Sequence, residues 1–209
     1  MTCCAERKDY CVRAGATFNP IVRWGSNVLS AAAITAIAQT TPVQITAPGH
    51  GVPNGWPVAV VGVTGMNGIN SSRYPPGLDD LHDATVVNAN TLVLNDVSAA
   101  LLVPPYVPAG AGISGGYVVW NTPHVLTGVI ATMTVWDDPN RDDTPLVVLS
   151  NALGGSGMTI DTVNMLILPF LQTAGLAWGT PGTIAYYDLD VTDASGNVTN
   201  LYTGTLTIQ

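Results

Sequence analysis

Apolar and small polar residues alternate through most of this chain, and clusters of turn-forming residues separate the alternating runs. A period of two puts every second side chain on one face of a strand, whereas a helix would repeat every three or four positions. "ATFNPIVRWG" carries Phe18, Ile21, Val22 and Trp24 between Gly15 and Gly25, and "VQITA", "PVAVVGV", "ATVVNANTLVLNDV" and "YVVWN" share the habit. "GTIAYYDLDVTDASGNVTNLYTGTLTIQ" predicts a hairpin. Tyr186, Asp188 and Asp190 alternate with Tyr187, Leu189 and Val191, and "DASGN" supplies the turn. On the return strand Leu201, Thr203, Thr205 and Thr207 share a face. "HVLTGVIATMTVWDDPNRDDTPLVVLSN", from His124 to Asn151, predicts two more strands joined by a charged turn.

Helical periodicity is scarce. "LPFLQTAGLAW", Leu168 to Trp178, predicts one short turn or helix. "SNVLSAAAITAIAQ" is Ala-rich, yet β-branched Ile34, Thr35 and Ile37, with Pro42 following, favour a strand or a linker entering one. The expected fold class is therefore all-β. From about Ser30 to Gly115 the chain is rich in Gly, Pro, Asn and Ser, with loop-like "PPGLDD" and "VPPYVPAGAGISGG". Residues 31–115 are read as a small β module with long loops, and residues 1–30 plus 116–209 as a second module split in sequence.

Composition sharpens this picture. Of 209 residues 47% are hydrophobic and only 10% charged, well under the roughly 25% typical of soluble domains. An exterior of Ser, Thr, Asn and Gly is poorly solvated in a free monomer, so a homo-oligomer with much of its surface covered is expected. Net charge is −8, from 14 acidic and 6 basic residues. Nucleic-acid binding needs basic patches that displace counterions, and none is present. No run of about 18 apolar residues escapes interruption, so no membrane insertion is expected. Arg7, Lys8 and Arg13 interleave with Glu6 and Asp9 as a solvated segment rather than a targeting signal.

The candidate chemistry is sparse. Cys3, Cys4 and Cys11 crowd one end in odd number, which reads as free thiols made in a reducing compartment. A closed metal site wants a fourth ligand and the nearest histidine is His50, so neither metal nor cofactor is expected. Asp137, Asp138, Asp142 and Asp143 flank Pro139, Asn140 and Arg141. They read as a wet hairpin tip, with calcium or partner binding as the alternative. His50, between two glycines in "APGHGVPNG", reads as a structural turn residue bonded to backbone; His82 and His124 lie in other loops, and no nucleophile–base pair is visible. "GGSGMTI", from Gly154, lacks the lysine of a phosphate loop and reads as a turn. Asp188 and Asp190 share a strand face that a cation could bridge, with Asp193 in the turn beyond; a solvated face is the simpler reading. No enzymatic activity is expected. Trp56, Tyr74, Tyr106 and Tyr117 lie in or near the middle module and are candidate subunit-interface or sugar-stacking residues. Trp24, Trp120, Trp136 and Trp178 are assigned to the core of the flanking module.

The last ninety or so residues carry, in order, "HVLTGVIATMTVWD", a charged hairpin, "LVVLSN", "GGSGMTID" and the long run from Met165 to Ile208. This order resembles a family of small immunoglobulin-like β modules common in structural proteins of tailed bacteriophages, with "YCVRAGATFNPIVRWG" in place of that family's first strand. "AITAIAQTTPVQITAPGHGVPNGWPVAVVGVTGMNGIN" and "ATVVNANTLVLNDV" resemble a second phage-tail module, departing at "NGWPV" and by extra loop residues from Ser71 to Asp83. The resemblance implies an immunoglobulin-like β-sandwich interrupted by a small β module. It also implies a virion component assembled in the host cytoplasm: a tail-tip, baseplate or fibre-adaptor protein whose partners are other virion structural proteins and further copies of itself, a trimer included. The segment with Cys3, Cys4 and Cys11 would be an anchoring arm. The other readings are a receptor-binding module for host surface glycan and a capsid decoration protein.

Overall fold

The computed structural model describes residues 6–101, 115–141 and 144–209. Cys3, Cys4, Tyr106, Asp142 and Asp143 lie outside the described residues. The fold is nearly all-β, and the described helices are three single 3-10 turns. The chain divides into two compact units, residues 1–24 with 125–209, and residues 25–124. In chain order, β1 (Glu6–Arg7), β2 (Tyr10–Val12) and β3 (Thr17–Phe18) belong to the first unit. β4 (Gly25–Ala33), β5 (Ala36–Ala38), β6 (Val43–Thr46), β7 (Ala59–Val61), β8 (Ala84–Asn88), β9 (Thr91–Leu94) and β10 (Tyr117–Pro123) make the second. The chain then returns through β11 (Ile130–Trp136), β12 (Val147–Ser150), β13 (Met158–Asp161), β14 (Leu166–Pro169), β15 (Leu171–Gln172), β16 (Ile184–Thr192) and β17 (Val198–Ile208).

In the first unit β12, β11, β16 and β17 pair in that order, all antiparallel, and β1 and β2 lie parallel along the outer edge of β17. The period of two sends Ala131, Met133, Val135, Ala185, Tyr187, Leu189, Val191, Leu206 and Ile208 into one buried cluster. Each large side chain there contributes roughly 1.5–3 kcal/mol of burial. Elements outside that sheet supply Phe18, Val22, Met158, Ile167 and Leu171 to the same cluster. Phe18 opposes Leu171 and Val22 opposes Ile167, so residues 17–22 run beside 167–172 in one register, while β13 and β14 form a hairpin. The short turn or helix expected over Leu168–Trp178 begins instead as strand. Ile167, Pro169, Leu171 and Thr173 are all buried, an alternation of period two, and Pro169 has no N–H to give a helix.

The parallel edge depends on one missing side chain. A Cβ on Gly204 would lie 1.9 Å from the Lys8 carbonyl oxygen. That carbonyl accepts the Tyr187 hydroxyl at 2.7 Å, which fixes the N-terminal segment from beneath the sheet. Burial first, and neighbouring acidic groups next, hold the Tyr187 phenol well above the ordinary tyrosine range. The Asp9 carboxylate takes both the backbone N–H and the hydroxyl of Thr205, each at 3.0 Å, bridging the interval between β1 and β2.

In the second unit β4, β10 and β7 form one antiparallel sheet, and β5, β6, β9 and β8 another. Its buried residues include Val43, Ile45, Val58, Val60, Ile69, Leu92, Leu94 and Val118. The "SNVLSAAAITAIAQ" stretch forms strands β4 and β5, as its β-branched residues predict. Gly25–Ala33 pairs with Tyr117–Pro123. Both strands therefore fall in the second unit, whose limits lie outside the 31–115 read from composition. Trp120, assigned to the flanking module by sequence, is buried within this unit.

Candidate functional site

The charged hairpin tip is where the first unit gathers chemistry. Asp137 is exposed and Asp138 half-buried; the Asp138 carbonyl accepts the Arg141 N–H at 3.2 Å, closing the turn. Arg141 takes φ 59°, a left-handed conformation costing about 1–2 kcal/mol for a residue with a side chain. Its guanidinium meets the outer face of the sheet. Nη2 donates to Asp188 Oδ1 at 2.8 Å and to Thr203 Oγ1 at 2.6 Å, and Nε lies 2.8 Å from Asp188 Oδ2. Its Cζ sits 5.6 Å from the centre of the Trp136 ring. The tip is thus more than a wet loop: its one cation neutralises a strand carboxylate 47 positions away.

A cleft of about 230 Å³ opens beside this pair, lined by Arg7, Pro139, Arg141, Tyr186, Thr203 and Thr205 over the backbone of Gly204. Trp136, Tyr186 and Thr205 lie in one row across three strands, and Thr134, Asp188 and Thr203 in the next, so the pleat aims these side chains the same way. Arg7 pairs with Asp9 at 3.0 Å. That guanidinium first, and Thr205 next, pull the Asp9 carboxyl below its ordinary range. Asp190, which shares the face of Asp188, accepts Asn200 Nδ2 at 2.7 Å. Asp188 and Asp190 are therefore satisfied by the protein itself. Spacing shows that the two aspartates share a face; Arg141, Thr203 and Thr205 carry no local signal of joining them, beyond being hydroxyls and a cation in a chain poor in charge.

Of the described candidate aromatics of the middle module, one is buried and two are exposed. Trp56 is only 2% exposed, so its expected place as an exposed stacking or interface residue is corrected: its ring packs inside the second unit, where a Cβ on Gly25 would touch it. Tyr74 is 70% and Tyr117 52% exposed, but they lie on different elements, a loop and a strand. The loop carrying Tyr74 is tightly tied. Asp80 accepts the backbone N–H of Ser72 at 2.8 Å, its hydroxyl at 2.9 Å and the Gly77 N–H at 2.9 Å. Arg73 pairs with Asp79 and Asp80. The backbone bond from Ser72, then that from Gly77, hold the Asp80 carboxyl far below the usual carboxylate range. The result presents Tyr74 and Leu78 to solvent, and Leu78 also lines a groove of about 210 Å³ with Leu29, Pro76, Leu81, Val119 and Trp120.

The remaining candidates are structural. His50 is buried; Nδ1 accepts the Val52 N–H and Nε2 donates to the Asn88 carbonyl, both at 3.0 Å. Gly49 and Gly51 take φ 63° and 67°, so the turn needs glycine on both sides of the histidine. His82 bonds Asp96 and the Ile69 carbonyl. Asp193 caps the β16–β17 turn through Ser195 and Asn197, and the Asn197 side chain leads in pulling its carboxyl below the ordinary range. "GGSGMTI" leads into β13 as a turn followed by strand. Cys11 is an exposed free thiol. Among the described residues no group of three or more His, Cys, Asp or Glu could hold a metal ion, and no helix is long and apolar enough to cross a membrane. No protein-family model matches the chain, and no curated protein matches it in sequence.

Proposed function

We propose that this chain is a structural component of a tailed-phage virion, a tail-tip, baseplate or fibre-adaptor protein that acts through protein–protein contacts. The observation that carries the reading is a chain with only 10% charged residues that leaves large apolar side chains in water. Leu153, Leu78 and Val163 are 108%, 83% and 82% exposed, and Val125, Tyr74, Val28 and Val198 are each at least 67% exposed. Such residues on ordered loops and strands gain free energy only when a neighbour covers them. The first unit is an immunoglobulin-like sandwich in this reading. In its favour, β12, β11, β16 and β17 make one sheet with an N-terminal strand parallel to β17, while residues 17–22, β15, β14 and β13 make the facing set. The chain order of the phage modules it resembles supports the same assignment.

Sedimentation of the full chain tests the reading. A homo-oligomer that persists on dilution, weakened by Leu153→Ser or Leu78→Glu without loss of folding, is the expected result. A monomer at every concentration that also fails to join a particle refutes it.

A further inference from the structure

We propose that the cleft beside Arg141 is a binding site for one neutral sugar residue. It is a site on the first unit alone, and it stands whether or not the chain assembles in a virion. Size sets the first limit: about 230 Å³ is below the roughly 300–1,000 Å³ of sites for drug-sized ligands, so the cleft takes a single ring rather than a nucleotide or cofactor.

Charge sets the second. Two guanidiniums line the cleft, but each has its own carboxylate, Arg7 with Asp9 at 3.0 Å and Arg141 with Asp188 at 2.8 Å. With those charges balanced, nothing remains to hold an isolated anion against water. The hydroxyl bookkeeping then favours a polyol. Thr203 Oγ1 accepts from Arg141, which leaves its own O–H to donate. Thr205 donates to Asp9, which leaves its oxygen lone pairs to accept. The cleft thus presents a donor and an acceptor two residues apart on one strand face. A sugar hydroxyl, which donates and accepts at once, uses both, and an anion, which only accepts, uses one. Tyr186, between Trp136 and Thr205 in its row, supplies an apolar ring face with a polar end, the surface on which the C–H face of a pyranose stacks.

Titration of the full-length, isotopically labelled chain by NMR decides the matter, with glucose, galactose and N-acetylglucosamine as probes and sulfate and acetate as anion controls. We expect saturable amide shifts centred on Tyr186 and Thr203–Thr205 with at least one sugar, in the millimolar range usual for a single small ring. Tyr186→Ala weakens that binding at least about tenfold, Tyr186→Phe retains most of it, and Thr205→Val weakens it while keeping the shape of the strand. Should Tyr186→Ala fail to fold, Thr205→Val carries the test. No saturable shift with any of the sugars, saturation only with the anions, or shifts centred elsewhere each overturns the proposal.

Discussion

The two units hold their exposed features in opposite ways. In the first, the bonds that build the cleft and its edge join distant parts of the chain: Arg141 to Asp188 and Thr203, 47 and 62 positions apart, and Tyr187 to Lys8, 179 apart. In the second, the loop presenting Tyr74 is tied within itself. Asp80 reaches Ser72 eight positions back and Gly77 three back, and Arg73 reaches Asp79 six ahead. Shelter differs too. The Arg141 and Asp188 side chains are 32% and 20% exposed, against 56% and 72% for Arg73 and Asp79, which surround an Asp80 that is itself 7% exposed. A long-range, sheltered pair adds to global stability and vanishes when the unit unfolds. A local, wetted one shapes its own loop and adds little elsewhere.

The sharpest way to break the contrast is at the parallel edge. Gly204→Ala forces a methyl onto the Lys8 carbonyl and should cost about 3 kcal/mol or more in urea unfolding, with fast amide exchange across residues 6–12. Unchanged exchange there would show that the edge does not depend on Gly204. Next, Asp188→Ala strands a partly sheltered guanidinium and should cost about 2 kcal/mol. A double-mutant cycle with Arg141→Ala should return a coupling of about 1 kcal/mol, and additivity would mean that the pair contributes nothing.

A smaller effect belongs to Asp80, whose replacement by Asn should leave the unfolding midpoint in place while amides at Ser72 and Gly77 exchange faster. Here the sign of pH dependence is fixed by the depressed carboxyl. Protection of those amides is present above the ordinary carboxylate value of about 3.9, survives as pH falls past it, and is lost only on further acidification through the folded value. In Asp80→Asn that pH dependence disappears; its survival would assign the loop's order to other groups. Least of all, Tyr74→Ala should stay within about 0.5 kcal/mol of the parent in stability while loosening self-association measured by sedimentation.

The same contrast explains what the sequence made legible. Local devices could be read directly: the glycines around His50, the Asp193 turn, and the alternation that placed β11, β16 and β17. The "DDPNRDD" tip was legible as a turn, but the destination of Arg141 was not, because nothing near Asp188 or Thr203 marks them as its partners. Trp56 misled for a related reason. Turn-rich surroundings do not say which way a ring points, and here it is inward. Over Leu168–Trp178 the sequence predicts one short turn or helix. The buried set at Ile167, Pro169, Leu171 and Thr173 follows the pleat instead, and Thr173 continues the pairing by donating its hydroxyl to the Ala16 carbonyl at 2.7 Å. The unit boundary eluded composition because β4, an Ala-rich strand with no fully buried residue, finds its partner some 90 positions later in β10.

The N-terminal strands beside β17 give the six-stranded sheet a direction. One flank is formed by Glu6–Arg7 and Tyr10–Val12, held by the Tyr187 hydroxyl and packed against Gly204, and the short strand Val147–Ser150 forms the other. On that flank Ser150 already gives its N–H to the Ser156 carbonyl at 2.9 Å, so backbone pairing from copy to copy along it has only Val147–Leu149 to begin from.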